Sequence, residues 1–201
     1  ANMGIIYTSS PVFIVILSVF LFSEKISLNR IVGLIICLIG VITIITKGNF
    51  NYLINFSFTT GDFWMLGAAI GWALYSIYLL NWKSKFSLMG RFTLIAFFGF
   101  ISLFPFYILE ESLFFDTKFN STFLAWVLFA AISPGIIAFS LYTKVQRYLG
   151  ASLTGFTLYL FAVYGAIFGI ILFEEMLLPF HYYGGALVFA GVYIARKIKT
   201  I

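Results

Sequence analysis

Long apolar runs, interrupted by short charged or turn-forming breaks, recur along the whole chain. Seven of them, at roughly 1–22, 30–46, 61–81, 92–109, 122–143, 151–173 and 180–197, approach the ~20 mostly apolar residues that a membrane-spanning helix needs. None has the period of two or the ~10-residue length of a membrane β-strand, so the pattern predicts an all-α polytopic membrane protein with seven transmembrane helices. The stretch KGNFNYLINFSFTT (47–60) is the longest connection and divides two helices from five.

Composition agrees with the pattern. Of 201 residues, 62% are hydrophobic and only 9% charged, against roughly a quarter charged in soluble domains. The net charge of +5 comes from Lys and Arg in the breaks between apolar runs, which points to lipid orientation and to no nucleic-acid partner. Alternating helices put Lys25, Arg30, Lys83, Lys85, Arg91, Lys144, Arg147, Arg196, Lys197 and Lys199 on one face and only Lys47 and Lys118 on the other. The positive-inside rule makes the rich face, with the C-terminus, cytoplasmic, and the expected location is the plasma (inner) membrane. Ala1 then lies outside and opens directly on an apolar run, so further helices are expected upstream.

The chain also echoes itself. An offset of 151 residues superposes Glu24 on Glu175, Gly33 on Gly184, Gly40 on Gly191 and Val41 on Val192, and also Leu21 on Leu172, Phe22 on Phe173 and Gly4 on Gly155. In each copy the two later glycines are seven apart, two helical turns, so they share one face and admit a neighbouring helix. By the side assignment Glu24 is cytoplasmic and Glu175 external, which makes the second copy an inverted repeat of the kind transporters use.

The segments SPVFIVILSVFLFSEKISLNRIVGLIICLIGV and GASLTGFTLYLFAVYGAIFGIILFEEMLLPFHYYGGALVFAGV resemble the last two helices of the EamA-type repeat of the drug/metabolite transporter superfamily. GDFWMLGAAIGWALYSIYLL is similar to its first helix. Residues 11–41 carry the whole pattern of Pro, Glu, Gly and Gly-Val, whereas Ala162 departs from it where the family usually has proline. The resemblance implies a ten-helix, 5+5 inverted-repeat transporter. Residues 1–47 would be the last two helices of the first repeat, 48–60 a linker, 61–197 the complete second repeat and 198–201 a cytoplasmic tail. The first three helices of the family would be missing from this stretch.

Polar or broken helix positions near mid-membrane are the best pointers to a transport site. Pro11 follows Tyr7, Ser9 and Ser10 midway along the first run, and Ser133, Pro134 and Gly135 interrupt the fifth. Each proline leaves the carbonyl four residues earlier, at Tyr7 or Ala130, without its helical donor. Either a cavity or neighbouring hydroxyls must serve it. Trp72, Tyr75 and Ser76 share one face in the third run, and Tyr159 is a further candidate in the sixth. Glu24 and Glu175 raise the question of proton coupling, but their positions at helix ends fit a loop-fixing role. Asp62 reads as a first-turn acid, and His181 as an incidental interfacial histidine. Asn55 and Asn120 begin glycosylation sequons, relevant only in a eukaryotic secretory membrane.

The expected function is a secondary carrier for a small polar or amphipathic metabolite, with the lipid bilayer as its other partner. The chain has no nucleotide-binding loop, no central acid pair and no metal-ligand cluster, and Cys37 and His181 lie on different segments. No catalytic residue, metal or cofactor is therefore expected. A seven-helix receptor or retinal photoprotein is the competing class. Retinal attachment needs a lysine deep in the last helix, and residues 180–195 contain none.

Overall fold

The structure, a computed structural model, describes residues 2–49, 51, 58–82, 84–114, 120–174 and 176–196. Glu175, Lys83, Asn55, Asp116, Lys118, Lys197 and Lys199 lie outside the described residues. The described elements are helical: α1 (Asn2–Tyr7), α2 (Ser10–Phe22), α3 (Leu28–Ile45), α4 (Thr60–Asn81) and α5 (Leu88–Phe114) come first. They are followed by α6 (Ser121–Ala130), a π-helical segment (Ala131–Ala138), α7 (Phe139–Gly155), α8 (Thr157–Phe173) and α9 (Pro179–Arg196). Five stretches among the described residues are long and apolar enough to cross a membrane: Met3–Phe22, Leu28–Ile45, Thr60–Asn81, Met89–Glu110 and Ser121–Gly155. Gly150 interrupts the last with φ 81° and ψ 168°, a conformation essentially confined to glycine, and it falls between the fifth and sixth apolar runs.

Short polar side chains set the helix starts. Ser27 Oγ accepts from Arg30 N–H at 3.4 Å, Asn120 Oδ1 from Phe123 N–H at 2.7 Å and Ser87 Oγ from Gly90 N–H at 3.1 Å. Such caps satisfy donors that the first turn leaves open. Ser87 explains why α5 begins before the apolar run at 92, and Pro105 is carried inside that helix. Thr59 donates its N–H and hydroxyl to Asp62 Oδ2 at 2.8 and 2.9 Å, the reciprocal half of a capping box. At the C-termini, α2 ends on Ser23 at φ 50° and α8 on Glu174 at φ 54°. These residues are related by the same 151-residue offset as Glu24 and Glu175.

Two compact units are present. The first comprises residues 1–81 and 146–201, the second residues 82–145. In the first, α3 and α9 lie antiparallel at near backbone contact. A Cβ on Gly33 would meet Gly191 O at 2.5 Å, and one on Gly40 would meet Gly184 O at 2.7 Å. Between these crossings Cys37 S–H donates to Val188 O at 3.4 Å. Around this seam Val15, Leu34, Val41, Phe156, Tyr159 and Val163 form one buried cluster. A second cluster joins Ile14 of α2 to Ala73 and Ile77 of α4 and to Ala151 and Leu158. In the second unit Phe92 stacks against Phe139 with ring centres 5.6 Å apart, while most other apolar side chains are exposed, a surface that lipid accepts and water does not.

The seam makes a sharp test. Gly33→Ala should destabilise the protein by ~1–3 kcal/mol, because its new methyl meets backbone that cannot swing aside. Gly67→Ala, whose Cβ would meet nothing within 4 Å, should leave stability unchanged or raise it by up to about 1 kcal/mol. Thermal unfolding in detergent compares the two directly.

Candidate functional site

α2 is the element on which the candidate site depends. Ser10, Pro11, Ile14, Val15 and Ser18 are its buried residues, a face repeating every three to four positions. Ile14 fills the space that Gly155 leaves open, since a Cβ there would stand 3.2 Å from Ile14 Cδ1. Farther along, Phe22 meets Tyr78 edge to face at 5.9 Å, so α2 and α4 run side by side in the same direction.

The break before Pro11 is mild. Thr8 and Ser9 donate their hydroxyls to Ile5 O and Ile6 O, both at 2.6 Å, and Pro11 sits in the first turn of α2 where its missing N–H costs nothing. Local hydroxyls thus serve carbonyls beside the proline. Tyr7 is half-buried, whereas Ser10 is fully buried and its Oγ has no partner among the described residues.

On α4 the indole of Trp72 and the ring of Tyr75 lie 5.7 Å apart, both half-buried, and Ser76 is fully buried. Ser76 receives both contacts of the Gln146 amide: Nε2 donates to Ser76 O and to Ser76 Oγ, each at 2.7 Å. Tyr159 on α8 is completely buried, lies edge to face with Phe156 at 6.1 Å, and leaves its hydroxyl without a partner among the described residues. Ser133 and Pro134 belong to the second unit. There the π-helical register passes the acceptor left by Pro134, Ala130 O, toward Gly135, whose Cβ position is 3.3 Å from it.

The charged and titratable residues at the helix ends have partners close by. Glu24 accepts from Arg30 Nη1 at 3.0 Å and from Ser152 Oγ at 2.8 Å. His181 Nδ1 accepts from Leu178 N–H at 3.1 Å and caps the start of α9. A mostly apolar pocket of about 240 Å³ between α3, α8 and α9 is lined by Ile44, Val163, Ala166, Ile170 and Phe189, with His181 at its side. None of the polar candidates contributes to it.

Gln146, Ser152 and Ser18 escaped the sequence reading. Gln146 stands between Lys144 and Arg147 in what reads as a basic break, yet Thr143 and Gln146 are buried while Lys144 and Arg147 are exposed. The signal was the spacing of Thr143, Gln146 and Gly150, three and four residues apart on one helical face.

Apolar crossing helices, a glycine seam and buried uncharged polar groups define a multi-pass membrane protein of transporter type. The EamA-like transporter family model matches residues 1–46 and 59–196, and the chain belongs to that family. It is similar to an "Uncharacterized transporter" of Methanothermobacter thermautotrophicus, with 26% identity over 196 residues, 96% of this chain and 55% of that protein. It is likewise similar to the "Uncharacterized transporter YetK" of Bacillus subtilis, 26% identical over 191 residues, 95% of this chain and 58% of YetK. The chain therefore spans just over half the length of these curated relatives. A crystal structure superposes with a TM-score of 0.74 at 19% identity, covering 97% of this chain and 66% of the other, which establishes a shared fold.

Tyr159→Phe separates a binding role from a packing role. Removing a buried hydroxyl that lacks a protein partner should leave thermal stability unchanged or improved. If that hydroxyl meets the transported solute, uptake should still fall by about two- to tenfold. Vesicle uptake of the solute found by screening radiolabelled amino acids, nucleobases and sugars measures this.

Proposed function

We propose that this chain serves a secondary carrier that moves a small, polar or amphipathic metabolite by alternating access. The observation that carries the reading is the pairing across the α3–α9 seam. Gly33 opposes Gly191 and Gly40 opposes Gly184, although the 151-residue offset makes Gly33 equivalent to Gly184 and Gly40 to Gly191. Cys37 and Val188, equivalent under the same offset, bond to each other between them. Exchange of equivalent partners is what a two-fold axis between inverted copies produces, and it supports two repeats of opposite orientation. The matching left-handed ends at Ser23 and Glu174 support the same relation.

In this reading seven helices cross the membrane with the C-terminus in the cytoplasm. The pathway borders α1, α2, α4 and α8, where Tyr7, Ser10, Pro11, Trp72, Tyr75, Ser76 and Tyr159 supply aromatic faces and neutral hydrogen-bonding groups. Ser133 and Pro134 remain separate candidates on the π-helical segment of the second unit. A pathway built from hydroxyls and aromatics suits a small polar or amphipathic solute. Glu24 is committed to Arg30 and Ser152, which favours a loop-fixing role over proton coupling. Family membership disfavours the receptor or photoprotein alternative.

Sidedness tests the inversion. Cys37 is the sole thiol, so Cys37→Ser gives a cysteine-free background that keeps a donor toward Val188 O. Lys25→Cys and Met176→Cys, both at exposed positions, are then introduced singly. In intact, correctly oriented cells an impermeant maleimide should label position 176 directly and position 25 only after permeabilisation. Labelling of both from one side refutes the inverted repeat and the mechanism inferred from it.

A further inference from the structure

Two bridges between elements far apart in sequence converge on the short stretch 146–152. At one end the Gln146 amide grips Ser76 of α4 through two contacts of 2.7 Å. At the other, Ser152 Oγ donates to Glu24 Oε2 at 2.8 Å, while Glu24 Oε1 takes Arg30 Nη1 at 3.0 Å. Between them stands Gly150 in its glycine-only conformation, with nothing within 4 Å of its Cβ position. The stretch is therefore a turn pinned to α4 on one side and to the α2–α3 connection on the other. The sense of the amide is dictated by chemistry: Ser76 O is a carbonyl and accepts only, so Nε2 must face it and Oε1 must point away. Gln146 is 1% exposed, and its Oε1 has no partner among the described residues.

We propose that these bridges are the cytoplasmic gate of the carrier, closed in this structure and broken when the pathway opens inward, with Gln146 and Glu24 as its positioning residues. The proposal rests on the transporter reading above, in which Lys25, Arg30 and Arg147 mark this end as cytoplasmic. Both bridges suit repeated opening. Gln146 is neutral and already half-satisfied, so parting it from Ser76 strands no charge. Glu24 keeps Arg30 when it releases Ser152, so no lone carboxylate is left in a poorly solvated site. Opening would turn the freed groups of Gln146, Ser76 and Ser152 toward water, which replaces their lost partners.

The gate is tested on the full-length protein in oriented membrane vesicles, with Cys37→Ser and a single Ser10→Cys reporter. The probe is a membrane-impermeant maleimide applied from either side. Gln146→Leu and, as a variant that removes only one hydroxyl, Ser152→Ala should each raise cytoplasmic-side labelling about fivefold or more and lower outer-side labelling. Loss of an interaction made only in the closed state shifts the two populations in opposite senses. A merely structural bridge would loosen the protein and raise labelling from both sides, which overturns the gate. Outer-side labelling that responds to neither variant also overturns it, while leaving the pathway standing. A reporter that labels from neither side in any background overturns the gate together with the aqueous pathway.

Discussion

Two helices of this protein approach each other until backbone meets backbone, and the remaining arrangement depends on that contact. Lipid tails are as apolar as Leu, so burying apolar side chains gives little drive for helix association inside a bilayer. Close packing must supply it. Glycines at Gly33, Gly40, Gly184 and Gly191 remove the side chains that would hold α3 and α9 apart, and the Cys37 thiol finds an acceptor in Val188 O. With that seam closed, Val15, Phe156, Tyr159 and Val163 pack against it, and α2 and α8 acquire fixed neighbours.

The helix ends show a related economy. A capping box has two reciprocal halves, and the two equivalent helix starts each use one. At α3 the Ser27 side chain accepts from Arg30 N–H; at α9 the His181 side chain accepts from Leu178 N–H. Ser27 and Leu178, like Arg30 and His181, are related by the 151-residue offset. The same local need for a donor or acceptor is thus met from opposite directions at the two helix starts.

Polar groups away from the ends follow two rules. Hydroxyls on the broken first helix turn back to their own backbone, as Thr8 and Ser9 do, and so spare the membrane an unserved carbonyl. Ser10 and Tyr159 have no such local solution and are held at full burial with an unspent hydroxyl. Such groups cost free energy in a finished core, which makes them candidates for a binding site.

Hydropathy, helix-start residues and the repeated glycine frame were legible without coordinates because each depends on a chemical property carried along a single segment. That information determined an all-helical membrane protein, most helix boundaries to within a few residues, and the family. It extended to the face bearing Trp72, Tyr75 and Ser76, whose spacing is helical. It did not reveal that Gln146 occupies that face's Ser76, that Glu24 reaches Ser152, or that Pro134 is absorbed by a π-helical turn. The first two pairings join residues 70 and 128 positions apart, and a partner at that distance is chosen by tertiary packing. Local chemistry wrote the helices; only their packing decided which polar groups meet.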